Sequence, residues 1–135
     1  MNRVYQTKFG GTDAPIGERG NCWQAAVASV LELPLDEVPN IQEWDDSIVW
    51  FDKFREWLRQ YGLSALGLST GGNITIQGYH LIECKSTTLN NGELHVVVGL
   101  NGKVVHDPNP NATSTGEIAD YIIFTLLNPA KVMKQ

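Results

Sequence analysis

The chain has 135 residues, a hydrophobic fraction of 42%, a charged fraction of 19% and a formal net charge of −5, which fits one domain spanning 1–135 with a single buried core. Its acidic balance sets the surface against phosphate backbones and argues against nucleic acid as a general partner. No segment reaches the apolar length of a membrane helix and Met1 to Gln6 lack the apolar run of a secretion signal, so a cytoplasmic protein with a reduced Cys22 and Cys84 is expected.

Residues 1–20 carry little periodic signal. Phe9 to Gly20 holds four glycines and a proline and reads as loop. The pattern changes at Asn21, a good N-cap, after which Cys22 to Leu33 runs without a breaker until Pro34. Its three alanines and mostly apolar composition predict a buried helix. Leu35 to Val38, between Pro34 and Pro39, predicts one short helical turn. A second helix is expected from about Ser47, a capping residue, to Tyr61. Ile48, Phe51, Phe54 and Leu58 form its apolar face, with Lys53, Arg55, Glu56 and Arg59 on the solvent side. Gly62 sits where a C′ glycine belongs.

Beyond Gly62 the period becomes that of strands, expected near 63–68, 78–84, 93–100, 103–107 and 121–127, with turns at Thr70 to Asn73 and Asn90 to Gly92. Helices followed by an antiparallel sheet predict an α+β fold.

Two places carry chemistry. In Gly20-Asn21-Cys22-Trp23 a cysteine occupies the first turn of a helix, beside unpaired N–H groups and the positive end of the helix dipole. Both favour the thiolate, the nucleophilic form, and the same N–H groups suit a developing oxyanion. Cys84, in an apolar strand without cap or glycine approach, reads as a small buried hydrophobe.

The second place is Glu93 to Pro108, a hairpin with Asn101-Gly102 at its tip. A two-residue type I′ loop pairs Leu100 with Lys103 and leaves Asp107 on the other side of the sheet from His95. A three-residue loop with Gly102 as a bulge pairs Gly99 with Lys103 and sets His95 directly opposite Asp107. We adopt the latter because it makes a Cys22–His95–Asp107 triad, in which the carboxylate orients the ring and the free nitrogen takes the thiol proton. His106 is an alternative base but falls on the opposite face in that register, and His80 has no assignable place. Two cysteines and three histidines lack zinc-site spacing, so neither a metal nor an organic cofactor is expected.

Gly20 to Pro39, beginning Gly20-Asn21-Cys22-Trp23-Gln24-Ala25-Ala26, resembles the nucleophile helix of small papain-like cysteine proteases of bacteria and their phages. His95 to Gly99 and Val105 to Pro108 resemble that family's histidine and aspartate strands. The resemblance runs from about Gln6 to Pro110, keeps the order Cys, His, Asp, and extends to the clan that includes double-glycine leader peptidases. It implies a papain-like fold, N-terminal helices packed on an antiparallel sheet, and a bacterial or phage-encoded origin. Such enzymes usually place an oxyanion-hole glutamine a few residues before the cysteine. Here residues 10–21 contain none, and Gln6 is the nearest upstream. Either the loop returns Gln6 to the site, or Gln6 is a strand residue facing water and Asn21 or backbone N–H groups serve instead.

The expected function is a thiol peptidase or amidase acting on a protein or peptide through a thioester. Two other readings stand beside it. One is an acyltransferase or transamidase using the same triad. The other is an inactive papain-like binding module that sequesters a host protein, motivated by Trp44 and Trp50 around Asp45-Asp46.

Overall fold

The computed structural model describes residues 1–44, 49–69, 74–88, 93–112 and 114–133. The chain is α+β. Helices α1 (Cys22–Leu31) and α2 (Trp50–Leu58) precede strands β1 (Leu63–Leu68), β2 (Tyr79–Lys85), β3 (Leu94–Leu100), β4 (Lys103–His106) and β5 (Ile118–Leu126), and a short α3 (Ala130–Met133) closes the described chain. All strand pairs are antiparallel, in the order β1-β5-β2-β3-β4. The last strand therefore lies in the middle of the sheet, a placement that strand spacing along the sequence does not disclose.

Helix α1 is buried almost all round, through Trp23, Ala25, Ala26, Val27, Ala28 and Ser29, as its alanine-rich composition predicts. It ends at Leu31, two residues short of the expected stop, because Glu32 takes a left-handed C-cap conformation at φ 56° and Leu33 N–H turns back to the Ala28 carbonyl. The expected turn after Pro34 is a 3₁₀ turn over Leu35–Glu37. Helix α2 buries Phe54 and Leu58 and half-buries Phe51. It starts later than expected, at Trp50, and a 3₁₀ turn at Arg59–Tyr61 extends it to Gly62, whose φ is 74°. The cap assigned to Ser47, Ile48 of the apolar face, and the turns at 70–73 and 90–92 lie outside the described residues.

Trp23, Ala26, Val27, Phe54, Leu58, Ala65, Leu81, Val96, Val98 and Ile122 form the main core between the helices and one face of the sheet. Ile82, Cys84 and Val97 form a smaller cluster on the other face. Residues 2–8 carry no strand pattern because side chains, not a ladder, satisfy much of their backbone. Ser29 Oγ takes the Val4 N–H, His106 Nε2 donates to the Val4 carbonyl, and Asn21 Oδ1 takes the N–H groups of Thr7 and Lys8. These bonds fix the arm between α1 and the end of β4.

The β3–β4 hairpin corrects the expected register. Leu100 pairs with Lys103 and Gly99 with Val104, so the loop is the two-residue Asn101-Gly102 form, with φ of 52° and 86° as a type I′ turn requires. The register then shifts and Val98 pairs with His106, leaving Val105 as an extra residue on β4. That bulge restores what the tight turn alone would destroy. With Val98 and His106 on one face, alternation places Val97, His95 and Asp107 together on the other. His95 and Asp107 are therefore diagonal neighbours, typically about 7–8 Å apart at Cα, rather than directly opposed.

Candidate active site

Cys22 is the first residue of α1 and half-buried. Asn21 holds the N-cap position, but its side chain makes no capping bond. It is used elsewhere: Oδ1 accepts from Thr7 and Lys8, and Nδ2 donates to Thr7 Oγ1 and Gln24 Oε1. This corrects the expectation of a side-chain cap and leaves the first-turn N–H groups uncapped beside the thiol. It also removes Asn21 from the candidate oxyanion donors.

His95 Nε2 lies 2.6 Å from Asp107 Oδ1. A carboxylate only accepts, so Nε2 carries the proton and Nδ1 is the nitrogen left for Cys22. Cys22 and His95 line the same small cleft. Burial pulls the His95 pKa down. Hydrogen bonds from Asp107 and Cys22, with the charges of both, outweigh it and carry the ring from 6.5 to about 9. The same Asp107 oxygen accepts the Asn109 N–H at 2.9 Å. Asp107 is thus both a turn former across Pro108 and the partner of His95, and the turn fixes the carboxylate before the imidazole meets it.

Gln6 is buried, not a strand residue facing water. The loop that separates it from Cys22 closes on itself through Gly10 N–H to Glu18 O, Gly20 N–H to Gly10 O and Asn21 N–H to Lys8 O, at 3.2, 2.8 and 3.4 Å. A Cβ on Gly10 would stand 2.5 Å from the Glu18 carbonyl oxygen, so this closure needs glycine. Gln6 N–H is bonded to the Pro108 carbonyl. Its Nε2 gives one hydrogen to Lys8 O and keeps a second. With Cys22 and His95 it lines a small cleft of about 60 Å³.

A larger cleft of about 310 Å³ adjoins it and shares Cys22, Gln42 and Leu94. Its other lining residues include Trp23, Trp44, Trp50 and Glu83. Trp50 packs edge-on against Trp23 at 5.0 Å, and Lys53 Nζ stands 4.9 Å from the Trp44 ring. These tryptophans therefore both pack near α2 and wall the cleft. Sequence reading does not single out Glu83, although a carboxylate at an inward position of an apolar strand is a usable signal.

The side chains of the remaining candidates are committed elsewhere. Nε2 of His106 is committed to Val4 O, and Nδ1 of His80 is 3.0 Å from Gly78 O. Cys84 is fully buried, with its sulfur 3.5 Å from the His95 carbonyl, and burial raises its thiol pKa. Both cysteines are free. Among the described residues no group of three or more His, Cys, Asp or Glu could hold a metal ion, and no helix is long and apolar enough to cross a membrane.

No known protein family, curated protein or solved structure matches the chain. The functional reading rests on the site itself.

Proposed function

We propose that the chain is a papain-like thiol hydrolase that cleaves an amide or peptide bond through a thioester on Cys22. The observation that carries this reading is the 2.6 Å His95–Asp107 pair, whose ring shares a small cleft with a cysteine at the start of a buried helix. In this mechanism Nδ1 of His95 takes the thiol proton, and Asp107 holds the ring and stabilises its charge. The thiolate attacks the carbonyl carbon. The tetrahedral oxyanion is held by the Cys22 N–H and the free hydrogen of Gln6 Nε2. His95 returns its proton to the leaving amine, and water then cleaves the thioester, releasing the acid and the thiol. An amine in place of water makes the same site an acyltransferase, which product analysis with added amine detects.

The test is the rate of Cys22 alkylation by iodoacetamide against pH, read by mass and peptide mapping, in the wild type and in His95→Ala and Asp107→Ala. Rapid alkylation well below pH 8 that slows in the His95 variant is the expected result. A Cys22 that titrates like a free thiol whatever stands at 95 refutes the triad.

A further inference from the structure

The larger cleft contains a feature that neither the fold nor the triad needs. In β2, Leu81 and Glu83 point to the same face, opposite Val98 and Val96 of β3. Those three aliphatic neighbours belong to the main core, so Glu83 occupies a position where this sheet otherwise stores apolar side chains. Among the described residues its carboxylate has no ion pair, and its oxygens, unlike the Trp23 indole nitrogen, keep some contact with solvent. Burial, with Asp120 opposite it on β5, raises its pKa above the ordinary carboxyl range. Asp120 has a partner in the Ser69 hydroxyl; Glu83 does not. A half-buried carboxylate without a cationic partner gains from one, and leucine would serve the core better.

Around Glu83 the cleft presents the ring of Trp50 and that of Trp44, which Lys53 Nζ already approaches at 4.9 Å, and Trp23, on the same wall, has an indole N–H buried without an acceptor. Arg19 also lines the cleft, but its Nε is donated to the Ala14 carbonyl at 3.1 Å and it forms no ion pair with Glu83. The occupant that fits this chemistry is a cation on an apolar stem. Its charge pairs with the carboxylate, its stem lies against the indoles, and the Trp50 ring adds cation–π attraction. A neutral side chain would leave Glu83 sealed and unpaired, and an anion would be repelled.

We propose that Glu83 is the specificity-determining residue of the larger cleft, and that the cleft takes the lysine or arginine side chain of a peptide substrate whose carbonyl is presented to Cys22. This assignment rests on the thiol-hydrolase reading and gives it a substrate class. The trapped indole N–H is placed to gain an acceptor from the bound peptide.

The experiment uses acetyl-dipeptide acyloxymethyl ketones with lysine, norleucine or glutamate at the first or second residue from the reactive carbon. Labelling of Cys22 is timed by mass in the wild type and in Glu83→Gln, with iodoacetamide alkylation of each protein as a check that the site is intact. At one of the two positions the lysine probe should label the wild type at least tenfold faster than norleucine, and glutamate slowest. Glu83→Gln should bring the lysine-to-norleucine ratio within twofold by slowing the lysine probe alone. A ratio near one in the wild type, or one unmoved by Glu83→Gln, overturns the cleft assignment while His95-dependent alkylation leaves the triad standing. A Cys22 inert to iodoacetamide removes the thiol-hydrolase reading and the cleft assignment with it.

Discussion

Gln6 illustrates how one side chain acquires a role from its surroundings. Its backbone is fastened to Pro108, next to the residue that orients His95, and its amide is fastened to Lys8. The residue lines a cleft with Cys22 and His95, and its amide keeps one N–H unused. Such a donor matters only when a carbonyl oxygen becomes an oxyanion. Two reagents separate that role from a structural one. Acylation of Cys22 by p-nitrophenyl acetate passes through a tetrahedral oxyanion, whereas alkylation by iodoacetamide does not. Gln6→Ala should slow acylation by about 100-fold and leave alkylation within twofold, both followed by stopped-flow and mass. Equal slowing of the two reactions would show that Gln6 supports the thiol, not the oxyanion.

At the level of elements, the junction between the N-terminal arm and α1 depends on Asn21. Its amide bonds the N–H groups of Thr7 and Lys8, the Thr7 hydroxyl and the Gln24 side chain, at 2.9 to 3.1 Å, and the residue is 2% exposed. Asn21→Ala strands two backbone donors and should cost roughly 2–4 kcal/mol in urea unfolding. Asn21→Asp keeps the acceptor and should cost less. A loss under about 0.5 kcal/mol for the alanine variant would mean the arm is held by other contacts. The arm also marks where sequence reading stops. The two main helices and five strands were legible because each has its own period and punctuation, and Cys22 was legible because a breaker-rich loop meets an apolar helix there. An extended segment that bonds to side chains has no period to read. The hairpin failed for a related reason: Asn101-Gly102 announces a type I′ turn, but no glycine or proline announces the bulge at Val105, so the residues of the pair were found and their register was not. The central place of β5 is set by long-range packing and leaves no local trace.

Over the whole molecule, three distant segments meet at one imidazole, and the meeting couples the site to the stability of the fold. In the unfolded chain His95 titrates near its ordinary 6.5; in the folded chain burial lowers that value, and the Asp107 and Cys22 partners more than restore it, to about 9. Where the ring takes its proton from solvent and not from Cys22, the folded state binds this proton more tightly than the unfolded state. Its contribution is fully present below pH 6.5, shrinks as the unfolded histidine loses its proton, and is gone once pH passes about 9. A shift of that size corresponds to something on the order of 3 kcal/mol. The side chain is only 15% exposed, so solvent screening takes little of it. Cys84, whose thiol burial holds above the ordinary 9.0, acts in the same direction but only at higher pH, and Glu83, whose carboxyl burial and Asp120 push up, acts in the same direction. Unfolding by urea at intervals from pH 6 to 9.5 should give a stability that falls with pH. Asp107→Asn, which keeps the Asn109 turn acceptor but removes the charge, should flatten most of that slope. A slope that survives Asp107→Asn would mean that the imidazole is not held protonated by its carboxylate, and a wild-type stability level across the interval would mean that the ring draws its proton from Cys22 and not from solvent.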